Sequence, residues 1–141
     1  MSMNQLAQHI LAVAKREGRS VTNLHLQKIM YFTLQRALKE EVLDRETLEE
    51  LYDQSFLVWR YGPVVPAIYE KYSLYSASPI MISGIYNESF STLDDIIKNL
   101  IEEKPFALVN MSHQESFWKS HQDDIVGWRS NIAYDLSDIE N

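Results

Sequence analysis

The chain has 141 residues, with 20 acidic against 13 basic side chains for a formal net charge of -7, and no cysteine. The missing thiols exclude disulfide frameworks, thiolate zinc sites, iron–sulfur ligation and cysteine nucleophiles, and they suit a reducing compartment. A single domain with its own core is expected at this length. The first residues lack the positive n-region of an export signal and no apolar run nears the ~20 residues of a bilayer span, so a cytoplasmic protein is expected.

Charge is unevenly placed. Up to Leu38 there are five basic residues (Lys15, Arg16, Arg19, Lys28, Arg36) and one acid, Glu17, whereas residues 39–54 hold seven acids and two bases. An acidic chain makes a poor general phosphate binder. Nucleic acid is therefore disfavoured as a partner and confined to the N-terminal part.

In chain order, Leu6, Ile10, Val13 and Ala14 form the stripe of an amphipathic helix over 4–17, and Gly18 supplies its stop. Thr22 or Asn23 caps a second helix whose apolar residues, from Leu24 to Leu38, cover most of its circumference, as in a central helix. The acidic stretch contains Thr47-Leu48-Glu49-Glu50, the spacing of a capping box, and predicts a short surface helix. Residues 55–60 have β-favouring composition, and Tyr61-Gly62-Pro63 is a turn signal. Pro66 suits the first position of a helix over 67–74 that turns Ile68, Tyr69 and Tyr72 inward. Residues 80–83 are the expected partner strand for 55–60.

Ser91 to Asp94 has a cap spacing ahead of a stripe made by Leu93, Ile96, Ile97, Leu100 and Ile101, which ends before Pro105. A helix over 106–111 follows, and Ser112-His113-Gln114-Glu115 reads as a capping box opening a further helix with Phe117, Trp118 and His121. After Gly127 the pattern weakens over the last ~15 residues. Trp128, Ile132, Tyr134, Leu136 and Ile139 are expected to dock on the body. No repeat or linker interrupts the chain, and the fold class is mainly α: a compact helical bundle with a small β hairpin.

The four histidines, His9, His25, His113 and His121, have no metal-ligand spacing, so neither a metal nor a cofactor is expected. There is no GxSxG nucleophile elbow, and Gly18, Gly62, Gly84 and Gly127 are too scattered for a phosphate loop. A small hydrolase would need His113 or His121 to meet a carboxylate and a nucleophile. The first two helices also fit a helix-turn-helix with Lys15, Arg16, Arg19 and Lys28 on phosphates, but the apolar second helix lacks the exposed polar face of a reader. Trp59, Tyr61, Tyr69, Tyr72 and Tyr75 concentrate aromatic surface in one segment, and Trp59-Arg60-Tyr61 beside a turn is expected to expose a side chain to a partner.

Three ordered motifs carry a resemblance. Asn23-Leu24-His25-Leu26-Gln27-Lys28-Ile29-Met30-Tyr31-Phe32 resembles the "tNLkLQKLLYF" opening of the Panacea (SocA-like, GepA-like) family. Trp59-Arg60-Tyr61-Gly62-Pro63-Val64-Val65-Pro66 with Tyr69 resembles its "W-x-Y-G-P-V-v-P-x-v-Y" signature, and Ser112-His113-Gln114-Glu115 with Trp118 its "lsH-x-e-x-x-W" element. Ile29-Met30 stands where Leu-Leu is usual, and Phe117 replaces the Pro often found before the late Trp. The resemblance implies a single Panacea domain over 1–141 that acts as a non-enzymatic, phage-associated antitoxin. Its partner would be a toxin encoded beside it, neutralised by direct binding, with an ATP-dependent protease as further partner in an adaptor branch. The alternative is a DNA-binding regulator using the basic N-terminal helices. Within the motifs, Leu26, Ile29, Met30 and Phe32 are expected in the core and Gln27 and Lys28 at its edge. Trp59, Arg60, Tyr61, His113, Glu115 and Trp118 are the expected partner-binding residues, on an acidic surface suited to a basic toxin.

Overall fold

A computed structural model describes residues 1–141. The first helix, α1 (Met3–Arg16), starts where the Ser2 hydroxyl accepts the Gln5 N–H at 3.1 Å. Gly18, with φ +67°, takes the left-handed conformation that lets the chain leave the helix. Thr22 caps α2 (Asn23–Lys39) by accepting the His25 N–H at 3.2 Å. Fourteen of the 17 residues of α2 are buried, so it is the axis of the molecule. Helices α1, α5 (Asp94–Glu102), α6 (Pro105–His113) and α8 (Leu136–Glu140) pack around it.

Between the helices the chain departs from expectation in four places. The surface helix α3 (Arg45–Leu51) begins three residues early: Asp44 accepts the Thr47 N–H at 2.7 Å, leaving Thr47 inside the first turn rather than at the cap. Strand β1 (Leu57–Trp59) pairs antiparallel with β2 (Gly62–Val64), with Trp59 opposite Gly62, and not with 80–83. Two of the three residues of the turn signal, Gly62 and Pro63, are thus strand, because Arg60 and Tyr61 alone make the reversal. Ile80 instead donates its N–H to Val21 O at 2.9 Å, tying its loop to the entry of α2. The third departure is Asn87, not Ser91, which caps the 3-10 turn Glu88–Leu93 leading into α5.

The fourth is Ser112-His113-Gln114-Glu115. Ser112 lies within α6, its hydroxyl donating to Val109 O at 2.7 Å, and α7 (Ser116–His121) has no side-chain cap. Helix α4 (Pro66–Lys71) opens on its proline as expected and buries Ile68, with Tyr72 buried at its end. The C-terminal segment returns alongside the hairpin, with Ala133 bridging to Leu57, and ends in α8 under a capping box formed by Asp135 and Asp138. Tyr134, Leu136 and Ile139 are buried as expected, whereas Trp128 stays 59% exposed. No helix is long and apolar enough to cross a membrane.

The polar side chains of α2 explain how so buried a helix chooses its neighbours. Asn23, Gln27, Tyr31 and Gln35 recur at every fourth position and so share one face. Asn23 donates to Tyr69 O at 2.9 Å and Gln27 accepts the Val65 N–H at 2.9 Å. Tyr31 donates to Glu115, and Gln35 donates to Ile139 O at 2.9 Å and to Glu115. One ladder therefore fixes α4, the end of β2, the start of α7 and α8 against a single helix. Gln27 and Lys28, expected at the core edge, are both wholly buried. Each serves a main-chain group of the hairpin segment that would otherwise be buried unpaired.

Candidate functional site

The three sequence motifs converge on the hairpin. Lys28 reaches from α2 and donates to Pro63 O at 2.7 Å; burial pushes its amine down to about 7. At Gly62, φ is +99°, and a Cβ there would stand 2.4 Å from Ser112 Oγ and 3.0 Å from Lys28 Cε. Any side chain would thus collide with residues from the other two motifs. Trp118 donates its indole N–H to Trp59 O at 2.9 Å, and His113 Nε2 bonds Arg60 O at 2.9 Å, which places the proton on that nitrogen. His113 also stacks on Trp118 with ring centroids 3.9 Å apart. Desolvation lowers its pKa, with Lys28 nearby acting in the same sense and the hydrogen bond to Arg60 opposing. Finally, Arg60 N–H donates to Trp128 O at 2.8 Å. The turn is held by main-chain bonds from four directions while the Arg60 and Tyr61 side chains stay exposed.

The sequence candidates therefore separate by position. Trp59 is 7% exposed and its ring sits edge-on to Tyr69, with Arg129 stacked 4.5 Å above it. Arg60 lies over Trp128 at 5.6 Å, and Tyr61 makes an edge contact with Phe106 at 6.1 Å. Trp118 and His113 stand behind the turn as props. Glu115 points the other way, to Tyr31 and Gln35, and burial together with the Glu115 charge raises the Tyr31 pKa.

Beside the turn lies a groove of about 570 Å³ floored by Trp59, Tyr69 and Val64 and rimmed by Tyr61, Phe106 and Trp128. Phe106 and Trp128 are each 59% exposed, and both rings meet Tyr61, so the three form one continuous aromatic rim. Phe106, Trp128, Arg129 and Asn23 were not among the sequence candidates. Trp128-Arg129 directly follows Gly127 and repeats the Trp59-Arg60 pair at a second turn, a signal available in the sequence.

The other chemistries fit the geometry less well. His121 pairs with Asp124 at 3.0 Å on the surface, but the neighbouring Ser120 hydroxyl is committed to the Ser116 and Phe117 carbonyls. Lys28 cannot touch a phosphate from inside the core, and α2 has no free face to lay in a groove of DNA.

Searched against curated proteins and solved structures, the chain finds no match. The family model described as "Antitoxin SocA-like, Panacea domain" matches residues 26–119, a span that contains the Gln27 and Lys28 props, the whole hairpin, His113 and Trp118. With more than half of the chain matched, and the matched motifs meeting at one corner of the fold, the protein belongs to the SocA-like antitoxin family of Panacea domains.

Proposed function

We propose that the protein is a non-enzymatic antitoxin that binds and neutralises a toxin encoded beside it, and that the hairpin corner is the contact surface. The observation that carries this reading is the turn itself, whose backbone is braced by Lys28, His113, Trp118 and the Trp128 carbonyl while Arg60 and Tyr61 project outward. Bracing of this kind cuts the ordering cost of binding, and aromatic and arginine side chains at a rigid site make the strongest protein anchors. Arg60, Tyr61 and the exposed edge of Trp59 are the contacts in this reading; His113 and Trp118 are positioning residues. Glu115 acts at one remove, by holding the start of α7 to α2.

Two finer assignments follow from the same reading. Residues 1–141 work as one domain, since α1 and α8, which lie outside the family match, both pack on α2. Hand-over of the bound toxin to an ATP-dependent protease is a second step after binding. It is measured as toxin half-life in cells with and without that protease.

Co-expression with the product of the adjacent gene tests the central claim. The expected result is restored growth and a co-purifying complex, both lost in an Arg60→Ala/Tyr61→Ala protein that keeps its helical circular dichroism. Full rescue by that folded variant would remove the hairpin corner as the contact surface. Rescue by the wild type without any complex would replace direct binding with control of toxin level.

A further inference from the structure

The groove beside the turn has the opposite charge from the rest of the molecule. Two arginines line it, Arg60 and Arg129, and no acidic residue does, in a chain where acids outnumber bases by 20 to 13. The ion pairs of the molecule are made by His9, Arg16, Arg45 and His121, so neither groove arginine has a carboxylate. Each instead lies over a tryptophan ring, Arg129 on Trp59 and Arg60 on Trp128. A guanidinium held over an aromatic ring spends none of its five N–H donors on a carboxylate and so keeps them available for one.

Two residues that line the groove also carry unspent hydrogen-bonding capacity. Trp59 Nε1 and Asn23 Oδ1 are buried without a partner, on residues only 7% and 2% exposed, and both residues line the groove. Orphaned buried polar atoms are scarce in folded proteins and call for an explanation. Here the donor belongs to the hairpin and the acceptor to the first turn of α2, the two elements that flank the groove. The groove volume of about 570 Å³ lies within the roughly 300–1,000 Å³ of ordinary ligand clefts.

We propose that the groove seats a short acidic segment of the toxin in extended conformation, with carboxylates on Arg60 and Arg129 and apolar side chains against Tyr61, Phe106 and Trp128. The inference rests on the direct-binding reading above and gives it a partner chemistry. That chemistry is opposite in sign to the one the net charge of the chain implies: the acidic body does not select the partner, and the basic groove does.

The test is a titration of the purified protein with the adjacent toxin between about 0.1 and 1 M salt, over which the screening length falls from about 10 to 3 Å. Wild-type affinity is expected to fall about tenfold or more across this range. An Arg60→Gln/Arg129→Gln protein is expected to bind about tenfold more weakly at the low-salt end and to respond little to salt, with Lys39→Gln as the unaffected surface control. In cells, Arg60→Glu/Arg129→Glu abolishes rescue, and toxin variants whose binding to it is restored carry Asp or Glu changed to Lys or Arg. Unchanged affinity and salt response in the folded glutamine variant, or restoring changes at basic toxin residues, overturn the acidic segment and leave direct neutralisation standing. A wild-type protein that neither binds nor neutralises the toxin overturns both.

Discussion

Two corners of the molecule gather polar and aromatic side chains, and they treat them in opposite ways. At the corner between α1 and the loop before α5, His9 is fully buried and both ring nitrogens are used, one with Asp94 at 2.7 Å and one accepting the Asn87 N–H at 3.0 Å. The second Asp94 oxygen takes Tyr86 at 2.6 Å and Arg16 at 3.3 Å. Burial pushes the Asp94 pKa up, but the hydrogen bonds from Tyr86 and His9 outweigh it and hold the carboxyl below its usual range. At the hairpin corner the backbone is equally well paired, yet two arginines lack carboxylates and two buried polar atoms lack any partner. A closed network holds the fold together, and an open one on a rigid frame is suited to recognition.

The largest expected effect breaks the closed corner. His9→Ala strands Asp94 and the Asn87 N–H and opens space between Tyr86 and Phe90, for a loss of about 3 kcal/mol in urea denaturation. Toxin binding per folded molecule should be unchanged; a matching fall in affinity would mean the corners are coupled. Gly62→Ala strikes the frame of the open corner, and its positive φ and the approach of Ser112 predict a loss of about 2 kcal/mol together with weakened binding.

A third effect depends on pH. Lys28 is neutral in the folded protein above its depressed pKa of about 7 but stays protonated in the unfolded chain up to its ordinary value of 10.5. The unfolded state therefore binds the extra proton between these limits, so stability should rise from pH 7 towards pH 10, by on the order of 1–2 kcal/mol in thermal melts. Lys28→Met should flatten that rise; an equally steep rise in the variant would assign it to another group. The smallest effects are Arg60→Ala and Arg129→Ala, each within about 1 kcal/mol of wild type in the same denaturation, because both side chains are exposed and give up only a contact with a tryptophan ring.

Helical parts of this contrast were legible in the sequence and its tertiary parts were not. The stripes of α1 and α5 and the apolar circumference of α2 follow from local periodicity, so their placement was recoverable. The β1 partner was not, because 62–64 carries Gly and Pro, which weaken any strand signal; the pairing depends on Gln27 and Lys28 satisfying backbone groups from α2. The box spacing at Ser112 misled for a related reason: Glu115 is engaged by Tyr31 and Gln35, partners some 80 residues distant that outcompete the local cap. At the candidate site, Arg60 and Tyr61 could be found from an Arg between aromatics at a turn. Arg129 joins them only through the return of the C-terminal segment, and Asn23 only through the docking of the first turn of α2 on Tyr69.

The bracing of the turn has a consequence for how such a surface can change over time. Lys28, His113, Trp118 and the Trp128 carbonyl grip only main-chain atoms of the hairpin, so the shape of the corner does not depend on which side chains occupy positions 60 and 61. If the corner is the contact surface proposed above, specificity and foldability are written in different residues. A lineage, or a designer working with a small library at positions 60, 61, 128 and 129, can exchange one partner for another without first having to rebuild the scaffold.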